Sequence, residues 1–283
     1  MPQQSQKSKM SRSYPSNCEV FVIKIEMAGS THVGQKRTNN EDSFLILTPK
    51  QVPDLPLDAV MLAADGMGGH ERGEVASGMV RDIFEELFCG QLAEFLSAYG
   101  IKSSEDLLKI LIPEVHQNLS SYSEEQAEND SQREKMGTTL TAALVHGTNL
   151  TIGHVGDSRA YLVRGDMIAQ LTEDHTMAHL LVKAGKMTEE EAAKSKYRNA
   201  LSQALGASKK VKPEVTTFDL EIGDRLLLCT DGLTRHVKDE EFVEILQQNS
   251  TQAACDALIE LANSRGGRDN ITVVIAYFHQ DAN

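Results

Sequence analysis

The chain has 283 residues, 40% of them hydrophobic and 24% charged, with a formal net charge of −13. That apolar share supports a sizeable core at this length, while the acidic balance excludes the basic face that non-specific nucleic-acid binding requires. No apolar run approaches the roughly 18 residues of a membrane span, and Cys18, Cys89, Cys229 and Cys255 form neither a C-x-x-C pair nor a zinc pattern, which fits a reducing cytoplasm.

In chain order, residues 1–18 are polar and predict a disordered tail. Val20–Ile25, the first apolar β-rich run, is too short for a signal sequence and contains Lys24. Strands are then expected at Ser43–Leu47 and Ala59–Ala64, and a helix at Glu74–Phe88, where Val75, Met79, Ile83 and Leu87 recur every four residues as a stripe for packing on a sheet. A second helix is expected at Ser103–Ser123, followed by the polar Glu124–Lys135 as an exposed end or loop. Thr138–Val145, Leu150–Val155, Ala160–Val163 and Met167–Leu171 read as consecutive strands. The turns between them are too short for a parallel crossover, so these strands are antiparallel, and the Arg164-Gly165-Asp166 triplet is a hairpin turn. Met177–Arg198, short, helical and charged, reads either as a flap or as a plain solvated connection. Strands at Val215–Leu220 and Arg225–Cys229, helices at Asp239–Gln248 and Thr251–Ser264, and a strand at Ile271–Phe278 complete the chain, with a short tail over 280–283. Long runs of strand with helices in pairs predict layered α+β architecture rather than an alternating βαβ sheet, in one domain over 19–279.

Aspartate is disfavoured in strands, yet it punctuates strand ends here. Asp42 opens Ser43–Leu47, Asp65 closes Ala59–Ala64 and is followed by Gly66, Asp157 follows His154-Val155-Gly156, Asp231 closes Arg225–Thr230 and is followed by Gly232, and Asp269 opens the last strand. One Asp-Gly after a strand is a favoured turn; two such units with three more strand-end aspartates point to a shared site. Like charges meeting there would raise one another's pKa unless cations neutralise them. Carboxylates, carbonyls and water suit hard cations such as Mg2+, Mn2+ or Ca2+. Donors scattered from Asp42 to Asp269 imply a site assembled by the fold, so the protein should be folded with or without metal. The glycine-rich Asp65–Glu74 stretch lets backbone approach a ligand, but it has neither the Gly-Lys-Ser/Thr of a phosphate loop nor a dinucleotide fingerprint.

In order, the chain carries Arg37-x-x-Asn40-Glu41-Asp42, Asp65-Gly66-Met67-Gly68-Gly69-His70, Gly137-Thr138-Thr139, Gly156-Asp157-Ser158-Arg159, Leu171-Thr172-x-Asp174-His175, Asp231-Gly232-Leu233 and Gly267-x-Asp269-Asn270-Ile271-Thr272. This set resembles the metal-dependent protein phosphatases (type 2C) in their bacterial form, across roughly Glu19 to Phe278. The resemblance implies a four-layer αββα sandwich, two central mainly antiparallel sheets flanked by helix pairs, and a protein-serine/threonine phosphatase using Mg2+ or Mn2+ as two core ions with a third, weaker one. By matching, Asp65 bridges two metals and the Gly66 carbonyl binds one of them. Asp231 and Asp269 hold the first ion, Glu41 and Asp42 act through metal-bound waters, Asp157 joins Asp231 at the third ion, and Arg37 grips the substrate phosphate. Met67 stands where the animal pattern has a histidine; His70, three residues later, or a metal-bound water would then protonate the leaving group. His154 reads as structural and His175 as fixing a turn near the flap. The implied partners are phosphorylated proteins and a cognate Ser/Thr kinase pathway, with no nucleic acid and no membrane, and the chain is expected to be a cytoplasmic monomer. The rival readings are a phosphatase dedicated to one bacterial regulatory or secretion-system partner, and a non-catalytic sensor on the same fold.

Overall fold

The computed structural model of the chain describes residues 23–68, 72–128 and 136–280. The predicted tail 1–18, the apolar Val20–Val22, His70 and the last residues of the 280–283 tail lie outside the described residues. The strands are β1 (Lys24–His32), β2 (Asp42–Leu47), β3 (Ala59–Met67), β4 (Gly137–Thr138), β5 (Leu140–His146), β6 (Asn149–Val155), β7 (Arg159–Arg164), β8 (Met167–Gln170), β9 (Glu214–Asp219), β10 (Arg225–Cys229) and β11 (Ile271–His279). The helices are α1 (Arg72–Glu86), α2 (Leu92–Tyr99), α3 (Ser104–Glu128), α4 (Met177–Lys183), α5 (Glu189–Lys194), α6 (Asp231–Thr234), α7 (Asp239–Gln248) and α8 (Thr251–Ser264). One sheet runs β1-β11-β10-β7-β8; the other runs β2-β3-β5-β6-β9, with β4 also paired to β3. The pairings between named strands are antiparallel, as the short turns require.

Three apolar layers hold four structural layers together. Alternate residues of a strand face opposite sides of its sheet, and β3 does this cleanly. Val60, Leu62 and Ala64 pack with Phe84, Leu108 and Ile112 from the helices α1–α3, while Ala59, Met61 and Ala63 pack with Leu226, Leu228 and Val274 of the other sheet. The outer face of that second sheet, through Leu227, Val273 and Ile275, packs on Phe242 and Leu246 of α7 and on Leu258 of α8. The expected αββα sandwich is therefore the fold.

The sequence reading departs from the structure in several elements. The first described strand begins at Lys24 and runs to His32, further along than Val20–Ile25, because it pairs with β11 over its full length. On α1 the stripe Met79, Ile83 and Leu87 packs at the flank of the core, but the buried face is centred one residue along, on Ala76, Ser77, Val80 and Phe84 with Gly73, and Val75 is exposed. The start of α1 lies so close to the strand loop that a methyl group on Gly66 would sit 2.1 Å from the Gly73 carbonyl oxygen. Close approach selects small residues at the start of the inner face, so the spacing of the larger hydrophobic residues points to its flank. After α1 a π-helical turn, Leu87–Gln91, leads into α2, which buries Leu92 and Leu96 and was not expected. The helix α3 continues past Ser123 to Glu128; the rest of the polar stretch to Lys135 lies outside the described residues. The expected Thr138–Val145 strand breaks at Thr139 into β4 and β5.

Candidate active site at the ends of the two sheets

Stacking the sheets brings the acidic strand ends to one edge of the layer between them. Asp42 is the register partner of Asp65 across β2 and β3, a pairing that puts two side chains about 5 Å apart on one face. By alternation that face is the one carrying Ala63, towards the opposite sheet. From that sheet, Thr230 at the end of β10 donates its hydroxyl to Asp42 Oδ2 at 2.8 Å. Its Oγ1 accepts from the Thr272 amide at 3.0 Å, and its own amide donates to the Thr272 carbonyl at 3.1 Å. Asp42 thus ties the two sheets together.

The electrostatics follow from this convergence. Burial raises the Asp65 carboxyl well above the usual carboxylate range, and the charges of Asp42, Asp231, Asp157 and Asp269 raise it further. Burial likewise pushes Asp42 up to about 7, helped by Asp231 and Asp269 and opposed by hydrogen bonds from Thr272 and Thr230. Asp157 rises to about 8 through burial and the nearby Asp231 and Asp174, and Asp231 to about 6 through burial, partly offset by Arg235. Glu41 is raised, first by burial. These five groups, with Asp269, form one interacting cluster.

A frame of buried polar groups fixes the carboxylates. Thr139 pairs with the Asp65 backbone twice: its N–H donates to the Asp65 carbonyl at 2.9 Å, and its Oγ1 accepts from the Asp65 amide at 2.9 Å. Thr139 Oγ1 is also 2.7 Å from Ser158 Oγ, which carries the arrangement to the Asp157 loop. In that loop Gly156 has φ +120°, and a β-carbon there would meet Thr139 Cγ2 at 2.5 Å. His175 brackets Gly156, its amide donating to the Gly156 carbonyl and its Nδ1 accepting from the Gly156 amide. Arg159 holds Asp174 with two hydrogen bonds at 2.8 and 2.7 Å and also reaches the Tyr161 hydroxyl. His154 is buried between Thr141 and the Glu173 carbonyl, and burial lowers its pKa to about 3. It is neutral at working pH and belongs to the frame. The segment 177–198 is bracketed by two ties to this frame, His175 before it and Leu205, which bridges to Thr138, after it.

On the opposite side, Asn270 Oδ1 accepts from the Glu41 amide at 2.8 Å, while its Nδ2 donates to the carbonyls of Val33 and Asn39 at 3.0 and 2.9 Å. That one side chain shapes the loop bearing Arg37 and Glu41. Arg37, about half exposed, contacts both Asp269 oxygens, at 2.9 Å to Oδ1 and 3.1 Å to Oδ2.

The donor set fits a hard divalent cation. Asp42 Oδ1 and Asp231 Oδ1 are buried and lack a hydrogen-bond partner, although a buried carboxylate oxygen ordinarily has one. A cation would satisfy them and relieve the repulsion that raises their pKa. Among the described residues, no three His, Cys, Asp or Glu side chains are already drawn together tightly enough to hold an ion. Asp231 and Asp269 are instead spanned by a guanidinium, that of Arg235. The structure thus brings Asp42, Asp65, Asp157, Asp231 and Asp269 into one cluster, with Glu41 and Arg37 at its edge. Gly66 is beside Glu41, its amide donating to the Glu41 carbonyl at 3.1 Å. The residues that sequence reasoning missed are Arg235, Thr230, Thr139 and Asn270. Thr139 and Asn270 sit inside the quoted motifs, but nothing in their type distinguishes a loop staple from a surface residue.

The family model described as protein phosphatase 2C matches residues 28–263. The chain is 37% identical over 246 residues to a serine/threonine phosphatase stp of Listeria innocua, covering 87% of this chain and 92% of that protein. In structure it is similar to the S. agalactiae serine/threonine phosphatase, with a TM-score of 0.78 and 32% identity over 90% of this chain and 99% of the other. It is also similar to the catalytic domain of the serine threonine protein phosphatase PstP in complex with two manganese ions, with a TM-score of 0.72 and 36% identity over 92% of this chain and all of the other.

Proposed function

The chain belongs to the protein phosphatase 2C family, and from that premise we propose that it hydrolyses phosphoserine and phosphothreonine on other proteins with Mg2+ or Mn2+ held by the strand-end carboxylates. In this reading Asp65, the Gly66 carbonyl, Asp231 and Asp269 would hold the two core ions, Glu41 and Asp42 would act through bound water, and Asp157 would help Asp231 to hold a third, weaker ion. The ions, when bound, supply an activated water and Lewis-acid stabilisation of the phosphoryl oxygens.

The remaining chemistry falls to side chains of the chain itself. Arg37 presents a fork of donors at the solvent edge of the cluster, matched to two phosphate oxygens and to the charge that develops on them. Asp269 aims that guanidinium by contacting it with both oxygens. His70 is the candidate proton donor to the departing serine or threonine oxygen, imidazole being the side chain that most readily gives up a proton near neutral pH. No cysteine nucleophile is required: burial pushes the thiols of Cys229 and Cys255 up to about 12, which leaves them unreactive.

The observation that carries this reading is the pair of partnerless buried oxygens on Asp42 and Asp231 within a cluster of like charges. We further assign one phosphatase domain over 19–279, with 177–198 as a flap, acting as a cytoplasmic monomer opposite a cognate Ser/Thr kinase. Among the described residues no helix is long and apolar enough to cross a membrane. The deciding assay is phosphate release from a phosphothreonine peptide in Mn2+ and in EDTA, for wild type and Asp231→Asn. Activity in Mn2+ alone, lost in a variant with unchanged circular dichroism, is expected; equal rates in Mn2+ and EDTA would refute the metal mechanism.

A further inference from the structure

Arg235 has no part in the roles assigned above, yet it contacts two carboxylates of the cluster. It follows the single-turn helix α6 that begins at Asp231, four residues after that carboxylate. A spacing of four on a helix puts two side chains on one face, and Arg235 Nη2 donates to Asp231 Oδ2. The other terminal nitrogen, Nη1, donates to Asp269 Oδ2 at 2.8 Å. One cation therefore spans two carboxylates supplied by different loops, one after β10 and one before β11. The Asp269 oxygen it takes is the same Oδ2 that Arg37 reaches at 3.1 Å, so two guanidiniums converge on a single oxygen. The Arg235 side chain is one-third exposed, which gives it a route to water.

We propose that Arg235 is a built-in competitor for the divalent ion: its guanidinium occupies the Asp231–Asp269 pair, and an ion takes those oxygens only as the guanidinium gives them up. The inference rests on the reading of Asp231 and Asp269 as ion ligands. A carboxylate oxygen that accepts an N–H from a full positive charge has its lone pair engaged and its negative charge already offset. A divalent ion seeking the same oxygen at about 2 Å meets a cation in its place. The competitor is anchored by helix geometry next to one ligand, so its local concentration is fixed by the fold. The consequence is a site whose ion affinity is held below what its carboxylates alone would give, so that the enzyme responds to changes in divalent-ion level instead of remaining saturated.

The test is a calorimetric titration of Mn2+ into the full chain, wild type against Arg235→Gln and Arg235→Lys, with melting temperatures in EDTA and in saturating Mn2+. Arg235→Gln is expected to bind Mn2+ more tightly by at least about fivefold, the lower end of ordinary site-to-site coupling. It should also melt below wild type in EDTA and recover that difference in Mn2+. Arg235→Lys keeps the charge but lacks the two-pronged donor set, and its Mn2+ affinity should rise as that of Arg235→Gln does. Unchanged or weaker Mn2+ binding in Arg235→Gln would overturn the proposal, as would Arg235→Lys behaving like wild type, since charge without contact would then suffice. An equal loss of melting temperature in EDTA and in Mn2+ would reduce Arg235 to a structural tie and overturn it too. If wild type itself binds no Mn2+, the metal reading fails first and separately.

Discussion

Removing a charge from the cluster should stabilise the protein when no metal is present. Asp42 is a clear case, because it is 7% exposed and its carboxyl moves from 3.8 to about 7. A pKa raised on folding means that the folded chain holds a proton which the unfolded chain has released. The stability that this proton carries is complete below about pH 4 and is lost as pH rises through about pH 7. At about 1.4 kcal/mol per pH unit the whole displacement corresponds to about 4 kcal/mol. Asp231 and Asp157 titrate with Asp42 and share the repulsion, so a single substitution should recover about 2 kcal/mol, or on the order of 5 °C in a chain of this size. Asp42→Asn keeps an acceptor for the Thr230 hydroxyl and can turn its amide towards the neighbouring carboxylates. In EDTA, wild type should lose melting temperature between acidic pH and pH 8, and Asp42→Asn should lose less and melt higher at the alkaline end. In saturating Mn2+ the order should reverse, because ligand binding stabilises only the chain that binds. A wild-type melting temperature that is flat with pH in EDTA, or an Asp42→Asn variant that melts lower there, would refute the electrostatic reasoning.

The frame and the phosphate grip give further expectations. Gly156→Ala must adopt a left-handed φ and push into Thr139, costing about 2 kcal/mol or more and lowering activity through the Asp157 loop; chemical denaturation and turnover measured together check it. Asn270→Leu removes the acceptor for the Glu41 amide and the donor to Val33 and Asn39, which should cost about 2–4 kcal/mol and show as faster proteolysis of the 33–41 loop. Arg37→Ala should raise KM for a phosphopeptide while leaving Mn2+ affinity within about threefold of wild type; steady-state kinetics beside calorimetry separate the two effects.

Much of the fold was legible because the strands stand out as short apolar, β-rich runs, and the short turns between them dictate antiparallel pairing. What escaped was decided by tertiary contact. The inward face of α1 is small only at its start, where Gly73 and Gly66 nearly touch, so the stripe of larger hydrophobic residues marks the flank of the packed face and not its centre. The site was legible where a residue type was out of place, as with Asp65 and Asp231 ending apolar strands before a glycine. It was not legible where the residue type was ordinary: an arginine at the end of a short polar turn carries no sign that Arg235 will close back on Asp231 and reach Asp269. Thr230 looks like any strand residue until β2 is seen lying across from it.

The placement of the site also follows from one gradient along the inter-sheet layer. On β3 the residues facing that layer run Ala59, Met61, Ala63 and then Asp65; on β10 they run Leu226, Leu228 and then Thr230; on β11, Ala276, Val274 and then Thr272. On β5 the sequence is Val145, Ala143, Thr141 and Thr139, and on β6 it is Leu150, Ile152 and His154. Hydrocarbon gives way to hydroxyl and imidazole before it gives way to carboxylate. Thr139, Thr141, His154, Ser158, Thr230 and Thr272 are each no more than 1% exposed, and they form a collar whose hydrogen bonds run between its own members, to neighbouring backbone and, from Thr230, to the Asp42 carboxylate. A carboxylate set directly against methyl groups would bear the full cost of burial; set against this collar, it is oriented and partly solvated by fixed dipoles. The collar cannot neutralise charge, however, so the remaining repulsion has to be met by cations: the guanidiniums of Arg37 and Arg235 from within the chain, and divalent ions from solution. Replacing collar hydroxyls by Val should therefore weaken the site even though each substitution makes the layer more apolar.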